Sequence, residues 1–318
     1  MNKKIYSEKL VQRVNELYHD LISERYHDCH PEIFEQEKDR WERIAEQYFD
    51  FADPVKIIDI GTGTGFVPLT IAQFLKQGDT FICSDISRNI LDVANRKIGK
   101  QNFRCRFEFV KIESQLPFRL PFETESAEVL TVNSVLHHIE NTSTFLGELD
   151  RILKPQGLLF IGHEPNKYFH ENIFLKCNHF FINYILNPRL VVTQVSAKLG
   201  VEKIARKIYY FINPMKGKIA LEFGKITDKI NESLLKENLI NTPLLSEEIT
   251  GITDIKDYEG FKPDLLLPHY KLLHLETYNH ILGVSMEHAD SFVIRRYDSF
   301  LRKKYPKEGA TFFAVLKK

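Results

Sequence analysis

An α/β fold built on a mostly parallel sheet is predicted by three features of the chain. It has short apolar runs without polar alternation, helix-like segments between them, and Gly, Pro, Asn and Asp at the joins. With 318 residues, 43% of them apolar, it can hold one large domain or two ordinary ones. Lys plus Arg number 43 and Asp plus Glu number 43, so no global basic field draws nucleic acid to the surface. Cys29, Cys83, Cys105 and Cys177 are scattered and form no paired motif, which excludes a disulfide scaffold and fits a reducing, cytoplasmic compartment. No secretory signal is expected, because Lys3, Lys4, Glu8 and Lys9 lead into no apolar run. The most apolar stretch, Ile173 to Leu186, is broken by Lys176, Asn178, His179 and Asn183 and is too short to span a bilayer.

Residues 1–50 read as helical, with Ile5, Leu10, Val14, Leu17 and Leu21, then Ile33, Trp41, Ile44 and Tyr48, at helical spacing around a break at Pro31. Residues 51–164 carry five strand-like runs: Val55 to Ile60, Thr80 to Ser84, Phe107 to Val110, Val129 to Val132 and Leu158 to Gly162. Lys154-Pro155-Gln156-Gly157 reads as a turn ending the helix before the fifth run. Residues 165–268 lose this rhythm and read as an inserted helical cap, punctuated by Asn187-Pro188, Asn213-Pro214 and Asn241-Thr242-Pro243. Residues 269–318 return to strand character at Tyr270 to Tyr278 and Thr311 to Leu316, which would complete the sheet.

The sharpest local signal is Asp59-Ile60-Gly61-Thr62-Gly63-Thr64-Gly65, a strand entering three alternating glycines before a helix that begins near Phe66. Glycine permits positive φ and close approach of a ligand to the backbone, and the N–H groups at the helix start suit an anion or a nucleotide. A dinucleotide fingerprint needs its third glycine one place later, where Phe66 stands, so the spacing disfavours NAD and FAD. Asp59, at the end of the strand, suits the ammonium of an amino-acid ligand, a group that S-adenosylmethionine carries. Twenty residues after Gly65, Asp85 ends the second strand, where a carboxylate can accept from two ribose hydroxyls.

On these residues, together with Ser84-Asp85-Ile86-Ser87, Leu116-Pro117-Phe118, Val135-Leu136-His137-His138-Ile139 and Arg151-Ile152-Leu153-Lys154-Pro155-Gln156-Gly157, the chain resembles the class I S-adenosylmethionine-dependent methyltransferases. It is similar in particular to the small-molecule branch related to quinone-biosynthesis enzymes. The resemblance implies a Rossmann-like seven-stranded sheet with residues 1–50 as a helical cover and the cap between strands 5 and 6. It implies a cofactor site made of Asp59, Gly61, Thr62, Gly63, Gly65, Asp85, Ile86, Asn133 and His138, with Ile86 on the adenine. Where many relatives have an acid contacting the adenine amino group, this chain has Ile112 followed by Glu113, so Glu113 or a backbone carbonyl would serve. Tyr26 is placed to close over the cofactor, as in similar covers.

Residues directly after the strands are the candidates for catalysis, and here they are rich in imidazole and carboxylate. His163 with Glu164, His138 and His280 are the expected proton acceptors, each weighed against a capping or packing role. His27-Asp28-Cys29-His30 has metal-ligating residue types, but no second cluster completes a tetrahedral set, so no metal is expected.

Within residues 165–225 ten Lys and Arg face three Glu among many aromatics, and Val195, Leu199, Ile204, Ile208 and Phe211 lie opposite Lys198, Lys203, Arg206 and Lys207. That pattern is a basic amphipathic helix, either a lid with a solvated face or a peripheral membrane contact. A sizeable apolar or aromatic acceptor, methylated on oxygen or ring carbon, is the leading expectation. An RNA or protein methyltransferase and a non-catalytic binding scaffold are the alternatives, the former disfavoured by the neutral charge.

Overall fold

In the computed structural model, which describes residues 6–26, 37–113, 117–186, 214–254, 260–281 and 292–318, all seven expected strands form. They are β1 (Lys56–Ile60), β2 (Thr80–Asp85), β3 (Arg106–Lys111), β4 (Ala127–Asn133), β5 (Leu153–Pro165), β6 (Lys271–Tyr278) and β7 (Thr311–Lys317). The sheet order is β3-β2-β1-β4-β5-β7-β6. Pairing is parallel from β3 through β5, and β7 runs antiparallel to β5. Ile57, Ile58 and Ile60 of β1, and Val129, Leu130 and Val132 of β4, are buried on both faces, which is why these strands read as continuous apolar runs.

The cover supplies α1 (Glu8–Ile22) and α2 (Lys38–Tyr48). Ser7 starts α1, its hydroxyl accepting from the Leu10 N–H at 3.3 Å. Between strands run α3 (Phe66–Ile71), α4 (Arg88–Ile98) and α5 (Thr142–Ile152). Asn141 caps α5 by accepting from the Thr144 N–H.

β5 starts earlier than expected. Lys154-Pro155-Gln156-Gly157 is not a separate turn but an irregular stretch of the strand, where the register against β4 shifts and Gln156 has a φ of +67°. A bulge there accommodates the extra residues without ending the strand.

The chain divides into two compact units, the first made of 1–166, 252–277 and 311–318 and the second of 167–251 and 278–310. The second therefore draws on two segments, where the sequence suggested one insertion over 165–268. Its helices are α6 (Lys167–Glu171), α7 (Ile173–Leu186), α8 (Pro214–Lys236), most of α9 (Ser246–Thr253) and α10 (Phe292–Lys304). The physical reason is a small core in which Phe169 and Leu175 pack with Ile281, Leu301 and Ala310, tying residues on both sides of β6. Pro31, the segment 27–30 and the basic stretch 195–211 lie outside the described residues. Among the described residues no helix is long and apolar enough to cross a membrane.

Candidate active site

The strand order reverses between β1 and β4, and in open α/β sheets the ligand crevice lies outside the carboxyl ends of the strands at such a switch point. A cleft whose empty space, its solvent-open mouth included, is about 950 Å³ occurs there. Its floor is Ile60, Gly61, Gly63, Asp85, Ile86 and Asn133. Ile112, Phe118, Leu120, Ile139 and Phe145 make an apolar wall, and Glu8, Val11, Gln12, Asn15, His19 and Tyr26 of the cover make the opposite one.

Each floor residue is held by local structure. Gly61, Gly63 and Gly65 have φ of +74°, +55° and +92°. The N–H groups of Gly61 and Thr62 donate to the Ser84 carbonyl at 2.8 and 2.9 Å, hooking the loop over the end of β2. Asp85 closes the hook, accepting from the Gly63 N–H at 2.9 Å through Oδ2 and from the Ser87 N–H at 3.0 Å through Oδ1. The Ser87 hydroxyl starts α4 by accepting from Ile90 and donates in turn to Asp20 of α1. Lys111 at the end of β3 pairs with Glu16 of α1 at 3.0 Å, so the cover is tethered at two points around the pocket.

Of the residues expected to hold cofactor, Gly61, Gly63, Asp85, Ile86, Ile112, Asn133 and His138 line the pocket. Asp59, Thr62, Gly65 and Glu113 do not, and each has another place. Asp59 is buried beneath the loop, with Oδ1 accepting from the Thr131 hydroxyl at 2.6 Å and its carbonyl accepting from the Ser84 and Thr62 hydroxyls. Its Oδ2 is buried without a hydrogen-bond partner among the described residues, and the residue does not line the pocket. Thr62 also accepts from the Ser84 N–H, and Gly65 starts α3. The Glu113 side chain is 69% exposed and pairs with Lys111 at 3.4 Å.

The catalytic expectations are corrected further. Glu164 is fully buried and accepts from the backbone N–H groups of Val135, Leu136 and His137 at 2.6, 2.7 and 3.2 Å, so it anchors the turn after β4. A carboxylate engaged by three backbone N–H groups and by Nδ1 of His137 acts as a strut, and it does not line the pocket. His163, at a φ of +53°, sets Nδ1 3.3 Å from the buried Glu37, which Arg40 also contacts at 2.7 Å. Against the push of burial, those two partners hold the Glu37 carboxyl below the usual range. His280 belongs to the second unit, is fully buried, and donates from Nε2 to the Tyr305 carbonyl at 2.8 Å. Only His138 of the four lines the pocket.

Sequence reasoning named Tyr26 but missed Glu8, Val11, Gln12 and Asn15. Their spacing of three and four residues, continued by His19, marks one face of α1 and was the available signal. Asn133 is fixed by accepting from the buried Trp41 indole at 3.1 Å. Gly162 is required beside it, since a Cβ there would lie 2.5 Å from the Asn133 Oδ1.

Two expected results follow from this framework. Glu164→Ala leaves three N–H groups and the His137 ring without their acceptor and lowers stability by about 3 kcal/mol or more, whereas Glu164→Gln retains an acceptor oxygen. If Glu164 is a strut, the Gln variant keeps ligand binding and turnover within about tenfold, measured by calorimetry and initial rates. Loss of turnover with unchanged binding would restore the proton-acceptor role.

The second concerns pH. Burial pushes Asp59 up to about 7 and Asp85 up to about 6, from an ordinary value of 3.8. A carboxyl that holds its proton more tightly when folded favours the fold at low pH, and that contribution is lost as pH rises through the folded value. The ligand-free protein therefore melts at higher temperature at pH 5.5 than at pH 8, and Asp59→Asn flattens the profile by several degrees at the alkaline end. A wild-type melting temperature that rises over that interval would contradict the assignment.

Residues 58–161 match the family model described as a methyltransferase domain. The chain is 24% identical over 193 residues to a ubiquinone/menaquinone biosynthesis C-methyltransferase of Geotalea daltonii, spanning 60% of this chain and 78% of that one. It is 27% identical over 168 residues to a demethylmenaquinone methyltransferase of Symbiobacterium thermophilum, spanning 52% of this chain and 64%, under two thirds, of that one. Among solved structures it resembles an S-adenosylmethionine-dependent methyltransferase from Aquifex aeolicus, with a TM-score of 0.35, 20% identity, and 43% and 68% of the two chains covered.

Proposed function

We propose that this chain, whose residues 58–161 match the model of a methyltransferase domain, uses S-adenosylmethionine to methylate an apolar aromatic small molecule of quinone-like character. The observation that carries the reading is the pocket itself: a backbone-lined floor ending in Asp85 beside walls of Ile86, Ile112, Phe118, Leu120 and Phe145. In this reading Asp85 accepts from a ribose hydroxyl, Gly61 and Gly63 let the methionine part lie against the backbone, and Ile86 and Ile112 pack on the adenine.

The acceptor's electron pair attacks the methyl carbon in line with the carbon–sulfur bond. That bond breaks as the new one forms, leaving neutral S-adenosylhomocysteine. Alignment supplies most of the catalysis. An electron-rich ring carbon loses its proton only after attack, so it asks little of a base, and His19, His138 and Glu140 at the pocket wall can take that proton. The name of the Geotalea relative, a C-methyltransferase, supports carbon over oxygen.

The test is transfer of labelled methyl from S-adenosylmethionine to hydroquinones, naphthols and catechols, with RNA and protein as competing acceptors and the product's site of methylation read by NMR. Label on a ring carbon supports the proposal, and label on RNA or protein alone overturns it. We further place the protein in the cytoplasm, with Lys203, Arg206 and Lys207 touching the membrane where a lipophilic acceptor resides. Changing these three to Glu should reduce cosedimentation with anionic vesicles, and an unchanged pellet would remove that contact.

A further inference from the structure

We propose that Asn15 of α1 recognises the cofactor's base, its side-chain oxygen accepting a hydrogen bond from the 6-amino group of adenine. The inference rests on the S-adenosylmethionine reading above and adds the residue that tells adenine from a purine without that amino group.

Asn15 is an unexpected residue for its place. It stands inside α1 on the buried side with Leu10, Val11 and Val14, where alanine or leucine would favour both the helix and the packing. Its Nδ2 donates back to the Val11 carbonyl at 2.9 Å, a common arrangement for asparagine within a helix. That bond satisfies the nitrogen and leaves the oxygen unserved. Oδ1 is buried and accepts from no group among the described residues, and the residue, 6% exposed, lines the pocket. A buried amide oxygen without a donor weakens the ligand-free protein, and a donor on the ligand removes that cost.

Two tethers fix where α1 meets the ligand. Glu16, next in the chain, pairs with Lys111 at 3.0 Å, and Ile112 follows Lys111 at the end of β3. Asp20 accepts from the Ser87 hydroxyl, and Ile86 precedes Ser87 at the end of β2. The helix is thus held across the ends of β2 and β3, and Asn15 lines the same pocket as Ile86 and Ile112, on which the adenine packs. The side chains of Ile112, Phe118 and Leu120 on that wall are apolar, and the Glu113 carboxylate is 69% exposed and paired with Lys111. Glu140, also a wall residue, has a buried Oε2 with no partner among the described residues. It follows β4, which lies two strands from β2 and three from β3, about 10 Å or more away at the usual strand spacing. That places it beside His138 and Ile139 rather than at the adenine end.

The experiment is calorimetric titration of the full chain with S-adenosylhomocysteine and with its analogue in which hydrogen replaces the 6-amino group. A site built to hydrogen-bond a ligand donor rejects the ligand that lacks it, so the wild type should bind the analogue about tenfold more weakly or worse. In Asn15→Leu the ratio should fall below about threefold, because S-adenosylhomocysteine alone loses a contact. Glu140→Ala should keep the wild-type ratio. The wild-type comparison needs no variant and decides the matter even if Asn15→Leu does not fold. Equal binding of the two ligands by the wild type, a full ratio retained in Asn15→Leu, or a ratio lost in Glu140→Ala instead would each overturn the inference and leave the adenosyl pocket standing. Failure of both ligands to bind the wild type would bring down the cofactor reading, and this inference with it.

Discussion

Gly61→Ala should destabilise the protein by about 2–5 kcal/mol and eliminate cofactor binding. Two separate costs add. At a φ of +74° an alanine meets the left-handed penalty of about 1–2 kcal/mol, and its Cβ would lie 2.3 Å from Cγ2 of Val135. Overpacking of that kind costs about 1–3 kcal/mol, and the neighbour cannot easily retreat. The Val135 N–H is held at 2.6 Å by Glu164, while the Gly61 N–H is held at 2.8 Å by the Ser84 carbonyl. Val135→Ala in the Gly61→Ala background should therefore recover about 1 kcal/mol or more, the packing part, and leave the backbone part behind. Gly63→Ala is the contrast. A Cβ at Gly63 meets only the Tyr26 ring, at 4.0 Å, so stability falls by the backbone cost alone while the methyl group intrudes on the pocket. Denaturant melts of the four proteins check this. A Gly61→Ala protein as stable as wild type, or one not helped by Val135→Ala, would contradict the packing described here.

Asp85→Ala should weaken binding of S-adenosylmethionine by at least a hundredfold. Its two oxygens already hold the Gly63 and Ser87 N–H groups and the Ile86 backbone amide adds a third hydrogen bond, which of a carboxylate's four lone pairs leaves one for a ribose hydroxyl. A hydrogen bond to a charged group contributes about 1.5–3 kcal/mol, so losing a ribose contact together with the slackening of the loop that Asp85 holds accounts for the expected factor. The pH dependence has a defined sign. Burial raises the Asp85 carboxyl to about 6, and protonation turns one acceptor oxygen into a donor, so affinity should decline as pH falls below about 6. This is opposite to the trend expected for stability of the ligand-free protein. Asp85→Ala should thus bind weakly yet lose part of the destabilisation seen at neutral pH. Wild-type affinity in Asp85→Ala would remove the residue from the site.

Much of this was legible in the sequence because the signals are local. Buried parallel strands such as Ile57-Ile58 and Val129-Leu130 read as apolar runs, and Gly61, Gly63 and Gly65 announce positive φ at a strand-to-helix turn. Asp85 was found by its distance along the chain from the loop. The misses share one cause, which is that a side chain's role depends on what folding brings opposite it. Glu164 looks like a base beside a strand end, but its partners are backbone amides 27 to 29 residues away, and amides carry no sequence signal. His280 follows a strand yet turns into the core of the second unit.

The central claim, an adenosyl-cofactor pocket between the glycine loop and α1, is tested most directly by calorimetric titration of the intact chain with S-adenosylmethionine, S-adenosylhomocysteine and NAD. Saturable one-to-one binding of both adenosyl ligands, with no heat from NAD and none in Asp85→Ala, is the predicted result. Binding of NAD, or adenosyl binding indifferent to Asp85, would contradict it.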